Sequence, residues 1–124
     1  MPRVLVVEDS PVMRGLIGSL VDELGEIDVV EVENGLEALR VLPQEQFDLI
    51  ITDINMPNIN GLELLSFIRN NAQHVDTPVL VVTTEGAARD REKGLALGAT
   101  DYLVKPFENE VLIETVRRLL QEKE

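Results

Sequence analysis

Three runs in this chain are apolar at every position: residues 4–7 (Val-Leu-Val-Val), 49–51 (Leu-Ile-Ile) and 79–82 (Val-Leu-Val-Val). A strand with one wet face alternates apolar and polar residues. Runs without alternation predict strands covered on both faces, as in a parallel sheet between two layers of helices. Each run ends abruptly in polar groups: Glu8 and Asp9, then Thr52 and Asp53, then Thr83 and Thr84. A buried, isolated carboxylate is costly, so strands ending this way either reach the surface there or meet compensating charge.

Helical patterns fill the spaces between. Val12, Leu16, Leu20 and Leu24, with Met13, Ile17 and Val21 beside them, form a stripe of helical spacing, with Ser10 as cap, Pro11 at the first helical position and Gly25 as stop. Residues 27–32 read as a second strand, mixed with charge and therefore at a sheet edge. Asn34-Gly35 opens a short helix carrying Leu36, Leu39 and Leu42, which Pro43 closes. After Asp53, Asn60-Gly61 leads into a helix with Leu62, Leu65 and Ile68 on one face. Residues 87–97 form a polar helix closed by Gly98, with Leu95 and Leu97 as its only strong apolar residues. Tyr102-Leu103-Val104 is a fifth strand. Residues 108–121 form the last helix, with Leu112, Val116, Leu119 and Leu120 inward. Five strand-helix units in succession predict one α/β domain over residues 1–124, a doubly wound parallel sheet with right-handed crossovers.

Charge and composition narrow the function. The net charge of −12 argues against direct binding of nucleic acid by this domain. Its distribution is uneven, with 4 basic and 15 acidic residues through Glu85, and 7 basic and 8 acidic from Gly86 onward. The absence of cysteine removes disulfides and thiolate chemistry. The apolar run after Met1-Pro2-Arg3 is too brief for a signal peptide, and nothing approaches a membrane span, so the expectation is a cytoplasmic protein with no membrane partner. His74 reads as a solvated loop residue without a role.

In a sheet of strand order 2-1-3-4-5 the ligand crevice lies outside the carboxyl ends of strands 1 and 3. Glu8, Asp9, Asp53, Thr83 and Lys105 all stand at such ends. Singly each has an ordinary reading: Glu8 and Asp9 as solvated charges, Asp53 as a cap or turn former, Thr83 as a helix cap, Lys105 as a surface charge. Together they form a chemical set. Three carboxylates repel one another, which a hard divalent cation relieves. Mg²⁺ or Mn²⁺ would take Asp9 and Asp53 directly, Glu8 through water and the backbone carbonyl of Asn55. Lys105 and the Thr83 hydroxyl would then meet the oxygens of a phosphoryl group, and Asp53 is the natural nucleophile, forming an acyl phosphate.

These residues resemble the receiver domain of two-component response regulators. The likeness rests on the Glu8-Asp9 pair, on Asp53 followed by Asn55-Met56-Pro57 and Gly61, and on Thr83, Tyr102 and Lys105-Pro106-Phe107. It covers the whole chain and is greatest to the single-domain chemotaxis-type regulators. Asn55 and Glu85 flank the phosphorylation pocket in that group. Glu8 replaces the first Asp, and Thr84 stands where a smaller residue is usual. The resemblance implies a flavodoxin-like (receiver) fold with five helices and a phosphorylation switch that is not a turnover enzyme. A histidine kinase or phosphotransfer protein donates to Asp53, Thr83 moves toward the phosphoryl group, and Tyr102 turns inward. A downstream protein target then reads the surface of helix 4, strand 5 and helix 5. It also implies a cis Lys105-Pro106 peptide. Two other classes fit parts of the pattern. A metal-dependent aspartyl-phosphate phosphatase wants a second acid two residues past the nucleophile, where Asn55 stands; a flavin or nucleotide module wants a Gly-rich or hydroxyl-rich loop after strand 1. A pseudo-receiver used only for protein assembly would share every motif.

Overall fold

The computed structural model describes residues 1–84 and 88–122. Five parallel strands form one sheet in the order β2-β1-β3-β4-β5. They are β1 Arg3–Val7, β2 Asp28–Val32, β3 Leu49–Thr52, β4 Val79–Thr83 and β5 Asp101–Val104. Between and after them run α1 Pro11–Asp22, α2 Gly35–Val41, α3 Gly61–Arg69, α4 Ala88–Ala96 and α5 Asn109–Glu122. β2 is an edge strand, as its charge predicts.

The unbroken apolar runs divide by parity between two cores. Leu5, Val7, Ile50, Val79 and Val81 face the layer that holds Ala38, Leu42, Leu64, Leu65 and Ile68 of α2, its cap and α3. Val4, Val6, Leu49, Ile51, Leu80 and Val82 face Ile17, Leu20 and Val21 of α1 and Leu112, Val116 and Leu119 of α5. Alternate side chains along a strand point to opposite faces, so only a sheet covered twice accepts such runs.

Local signals set the helix starts. The Ser10 hydroxyl accepts from Met13 N–H ahead of Pro11, Asn34 caps α2 through Glu37 N–H, and Asn60 and Glu63 form a reciprocal capping box on α3. Gly25 and Gly98, at φ 113° and 110°, take left-handed positions just beyond α1 and α4.

Two details differ from the sequence reading, at α1 and at His74. Val12 and Leu16 are not inward: the stripe of α1 is wider than the face the sheet covers, and Val12 is 84% exposed. In α4, Leu95 is exposed, as is Leu97 just past its end. What rests on the core there is Gly94, where an added Cβ would stand 3.5 Å from the Tyr102 ring. Finally, His74 is fully buried, its Nε2 2.6 Å from the Leu42 carbonyl oxygen, which fixes Nε2 as the donor. The connection that carries His74 is ordered by Arg69. Its guanidinium donates to the carbonyls of His74, Val75, Thr77 and, across the domain, Gly98. These carbonyls lie at the amino ends of the strands, opposite the polar strand ends.

Candidate functional site

Main-chain bonds just past the strand ends set the site. Asp53 N–H donates to Val7 O at 3.2 Å and Glu8 N–H to Val32 O at 3.2 Å, extending the ladders around β1 by one residue and bringing the two acids side by side. Lys105 N–H donates to Thr83 O at 2.8 Å, which does the same for β4 and β5. The Lys105-Pro106 peptide is cis, as the resemblance implies.

The Lys105 ammonium sits between two carboxylates, with Nζ 2.6 Å from Glu8 Oε1 and 3.0 Å from Asp53 Oδ2. Glu8 and Asp53 are buried, Lys105 is nearly so, and Asp9 is exposed at the mouth. The other oxygens of the buried acids meet amides. Ser10 N–H donates to Glu8 Oε2 at 3.0 Å, and Ile54 and Asn55 N–H donate to Asp53 Oδ1 at 2.6 and 3.3 Å. Asp53 is thus oriented by three donors, with Oδ2 facing the ammonium.

Burial raises the Glu8 carboxyl above its ordinary range, outweighing the hydrogen bonds from Lys105 and Ser10 that pull it down. For Lys105, burial works to lower the ammonium, but the hydrogen bonds and attraction of Glu8 and Asp53 prevail and its pKa is raised. Among the described residues, Lys105 is the cation paired with Glu8 and Asp53, and Asp9 adds a third acid beside them.

Glu8, Asp9 and Asp53 each offer a carboxylate oxygen, and these atoms lie within 4.8 Å of one another. An all-oxygen, anionic donor set of this size fits a hard divalent cation such as Mg²⁺ or Mn²⁺. Thr83 is buried at the end of β4, Tyr102 is buried in β5 under α4, and Asn55 and Thr84 are exposed. Glu85 and the expected first residue of the fourth helix, Ala87, lie outside the described residues.

Of two further contributors, Gly61 entered the sequence reading through its helix start and the resemblance, and Arg14 did not enter it. Gly61 lets α3 begin against β3: an added Cβ would stand 2.0 Å from Asp53 O. Arg14 Nη1 donates to the Glu8 carbonyl at 2.9 Å. The available signal for Arg14 is that it is one of 4 basic residues among the first 85.

The family model of the response regulator receiver domain matches residues 4–117. The chain is 41% identical over 119 residues to a chemotaxis protein CheY homolog of Campylobacter jejuni, covering 95% of this chain and 92% of that protein. It is 38% identical over 119 residues to chemotaxis protein CheY1 of Helicobacter pylori, covering 95% and 96%. The solved structure of Vibrio cholerae chemotaxis protein CheY4 superposes with a TM-score of 0.89 at 38% identity, covering 96% of this chain and 98% of that one.

Proposed function

This chain belongs to the response regulator receiver family, and from that premise we propose that it is a switch phosphorylated on Asp53 by a histidine kinase or phosphotransfer protein, with Mg²⁺ or Mn²⁺ held by its acidic cluster. The observation that carries this reading is the Lys105 ammonium bridging Glu8 and Asp53 beside a cluster of three carboxylates. A bound divalent cation would offset the repulsion between the cluster and an incoming phosphoryl group. Asp9 and Asp53 are the direct ligands in this reading, Glu8 acts through water, and the Asn55 carbonyl completes the protein's share.

An oxygen of the Asp53 carboxylate attacks phosphorus while the P–N bond of the donor phosphohistidine breaks. The electron pair leaves with the imidazole, which takes a proton from solvent. Lys105 stays beside the reacting oxygen and meets the charge that develops on the phosphoryl group, and the Thr83 hydroxyl donates from the neighbouring strand. The product is an acyl phosphate in a switch, so the chain is a phosphoacceptor with self-catalysed transfer and hydrolysis. Asn55 and Thr84, exposed beside the acids, flank the phosphorylation pocket in this reading. A phosphatase reading is disfavoured by Asn55, which is not an acid.

Incubation of the native chain with Mg²⁺ and a small acyl-phosphate donor, followed by intact mass measurement, should show one added phosphoryl group that a chelator prevents. No gain, or a gain unaffected by chelation, would overturn the reading.

The readout surface in this proposal is α4, β5 and α5, where Val104 and Val111 are exposed and Arg118 pairs with Asp101. A downstream protein is its partner. Tyr102 stands inward in this structure, packed against Gly94. Phosphorylation is therefore read as biasing an existing equilibrium of the ring, with Thr83 as the link. A beryllofluoride mimic should change amide exchange in α4 and at Tyr102 while leaving α1 nearly unaltered, and Thr83→Ala should abolish most of that change without preventing phosphorylation. A response concentrated in α1 would refute this route.

A further inference from the structure

Asp9 is the exposed member of the carboxylate cluster, and no hydrogen bond or ion pair among the described residues holds its side chain. Its direction is set through its main chain. The Glu8 carbonyl, in the peptide before Asp9, accepts from Arg14 Nη1 at 2.9 Å. The Ser10 N–H, in the peptide after it, donates to Glu8 Oε2 at 3.0 Å. Peptides are planar, so pinning one on each side of a Cα fixes the backbone torsions between them and leaves only the side-chain rotamers.

Arg14 can serve as a pin because it is itself fixed. Its N–H donates to the Ser10 carbonyl at 2.8 Å as part of α1. Its guanidinium also lies 3.9 Å from Glu31 on β2. Glu31 in turn occupies the space over Gly18, where an added Cβ would come within 2.4 Å of its Oε2. The Arg14 side chain is only partly exposed, at 20%.

We propose that Arg14 is a positioning residue for the divalent-cation ligand Asp9, aiming the carboxylate by holding the Glu8–Asp9 peptide. The inference rests on reading Glu8, Asp9 and Asp53 as a cation site. Charge and position predict opposite results here. A guanidinium one peptide away from the cluster repels a cation, so if its charge were what mattered, removing it would tighten binding. If it orients Asp9, removing it weakens binding.

The test is calorimetric titration of Mg²⁺ into the full chain, native and variant, with metal-free melting to establish that each is folded. Arg14→Met should weaken Mg²⁺ binding by about ten- to a hundredfold, the usual scale for losing a group that orients a ligand. Arg14→Lys, which can still reach the carbonyl with one donor, should restore part of the affinity. In an Asp9→Asn background Arg14→Met should add nothing. Should Arg14→Met fail to fold, Glu31→Gln, which loosens the guanidinium, should weaken binding by a smaller factor. Equal or tighter affinity in Arg14→Met, an undiminished loss in the Asp9→Asn background, or an unchanged affinity in Glu31→Gln where that variant is needed, overturns the proposal. A native chain that takes up no Mg²⁺ overturns the site reading itself, and this proposal with it.

Discussion

Asp53→Asn is expected to fold like the native protein and to lose phosphoryl uptake by at least roughly a thousandfold, the scale of removing a nucleophile. The carboxamide has nearly the same shape, and its oxygen can keep the hydrogen bonds that Asp53 Oδ1 accepts from Ile54 and Asn55 N–H. The amide nitrogen would then take the place of Oδ2, which accepts from Lys105 Nζ at 3.0 Å. Two donors would face each other, leaving Lys105 with Glu8 at 2.6 Å. The pocket also loses one of its three negative charges, so divalent-cation binding should weaken alongside. Intact mass after incubation with Mg²⁺ and a small acyl-phosphate donor reads the first effect. Labelling at the native level would move the nucleophile to another carboxylate of the cluster.

Gly61→Ala should be destabilising by about 3 kcal/mol, at the upper end for overpacking, or a fall in Tm of roughly 10 °C for a domain of this size. The added Cβ would stand 2.0 Å from Asp53 O, 2.8 Å from Asp53 C and 2.8 Å from Ile54 Cα. All three are main-chain atoms, so no side chain can rotate away. The start of α3 would have to lift, straining the bond from Gly61 N–H to Ile54 O at 2.8 Å and moving the backbone that carries Asp53. Gly15 provides the contrast, because nothing lies within 4 Å of its added Cβ. Gly15→Ala, inside α1, should stabilise by up to about 1 kcal/mol through helix propensity. Chemical denaturation of both variants checks the pair, and a Gly61→Ala midpoint indistinguishable from native would show that the close approach is not rigid.

The sheet and most of the pocket were legible because both depend on short-range patterns. An apolar run needs two covered faces, and a carboxylate directly after it has few places to go but the strand end. Asp53, Glu8 and Lys105 therefore declared themselves before their contacts were known. What escaped depends on choices made between distant elements. In α1 six apolar residues offer more than one inward face, and only packing on β1 and α5 selects Ile17, Leu20 and Val21 over Val12 and Leu16. His74 is buried because Arg69 ties its connection to Gly98, which lies 29 positions from Arg69. Nothing in the sequence marks the contact of Arg14, since its acceptor is a backbone carbonyl and main-chain acceptors leave no mark on residue type. Gly94 sets α4 against Tyr102, and a flat contact on an aromatic ring, which needs the absence of a side chain, leaves no apolar mark on the helix.

Lys105 is separated along the chain by 97 positions from Glu8 and by 52 from Asp53. A ribosome makes the two acids long before it makes their counter-ion, and β5 joins the sheet only after α4 has crossed over. An emerging or clipped chain that lacks this last strand has its acids but not the ammonium that organises them. The tie that joins β1 and β3 to β5 at this end of the sheet is thus the last part of the pocket to be made, and a chain cut ahead of β5 is expected to keep its acids unpaired.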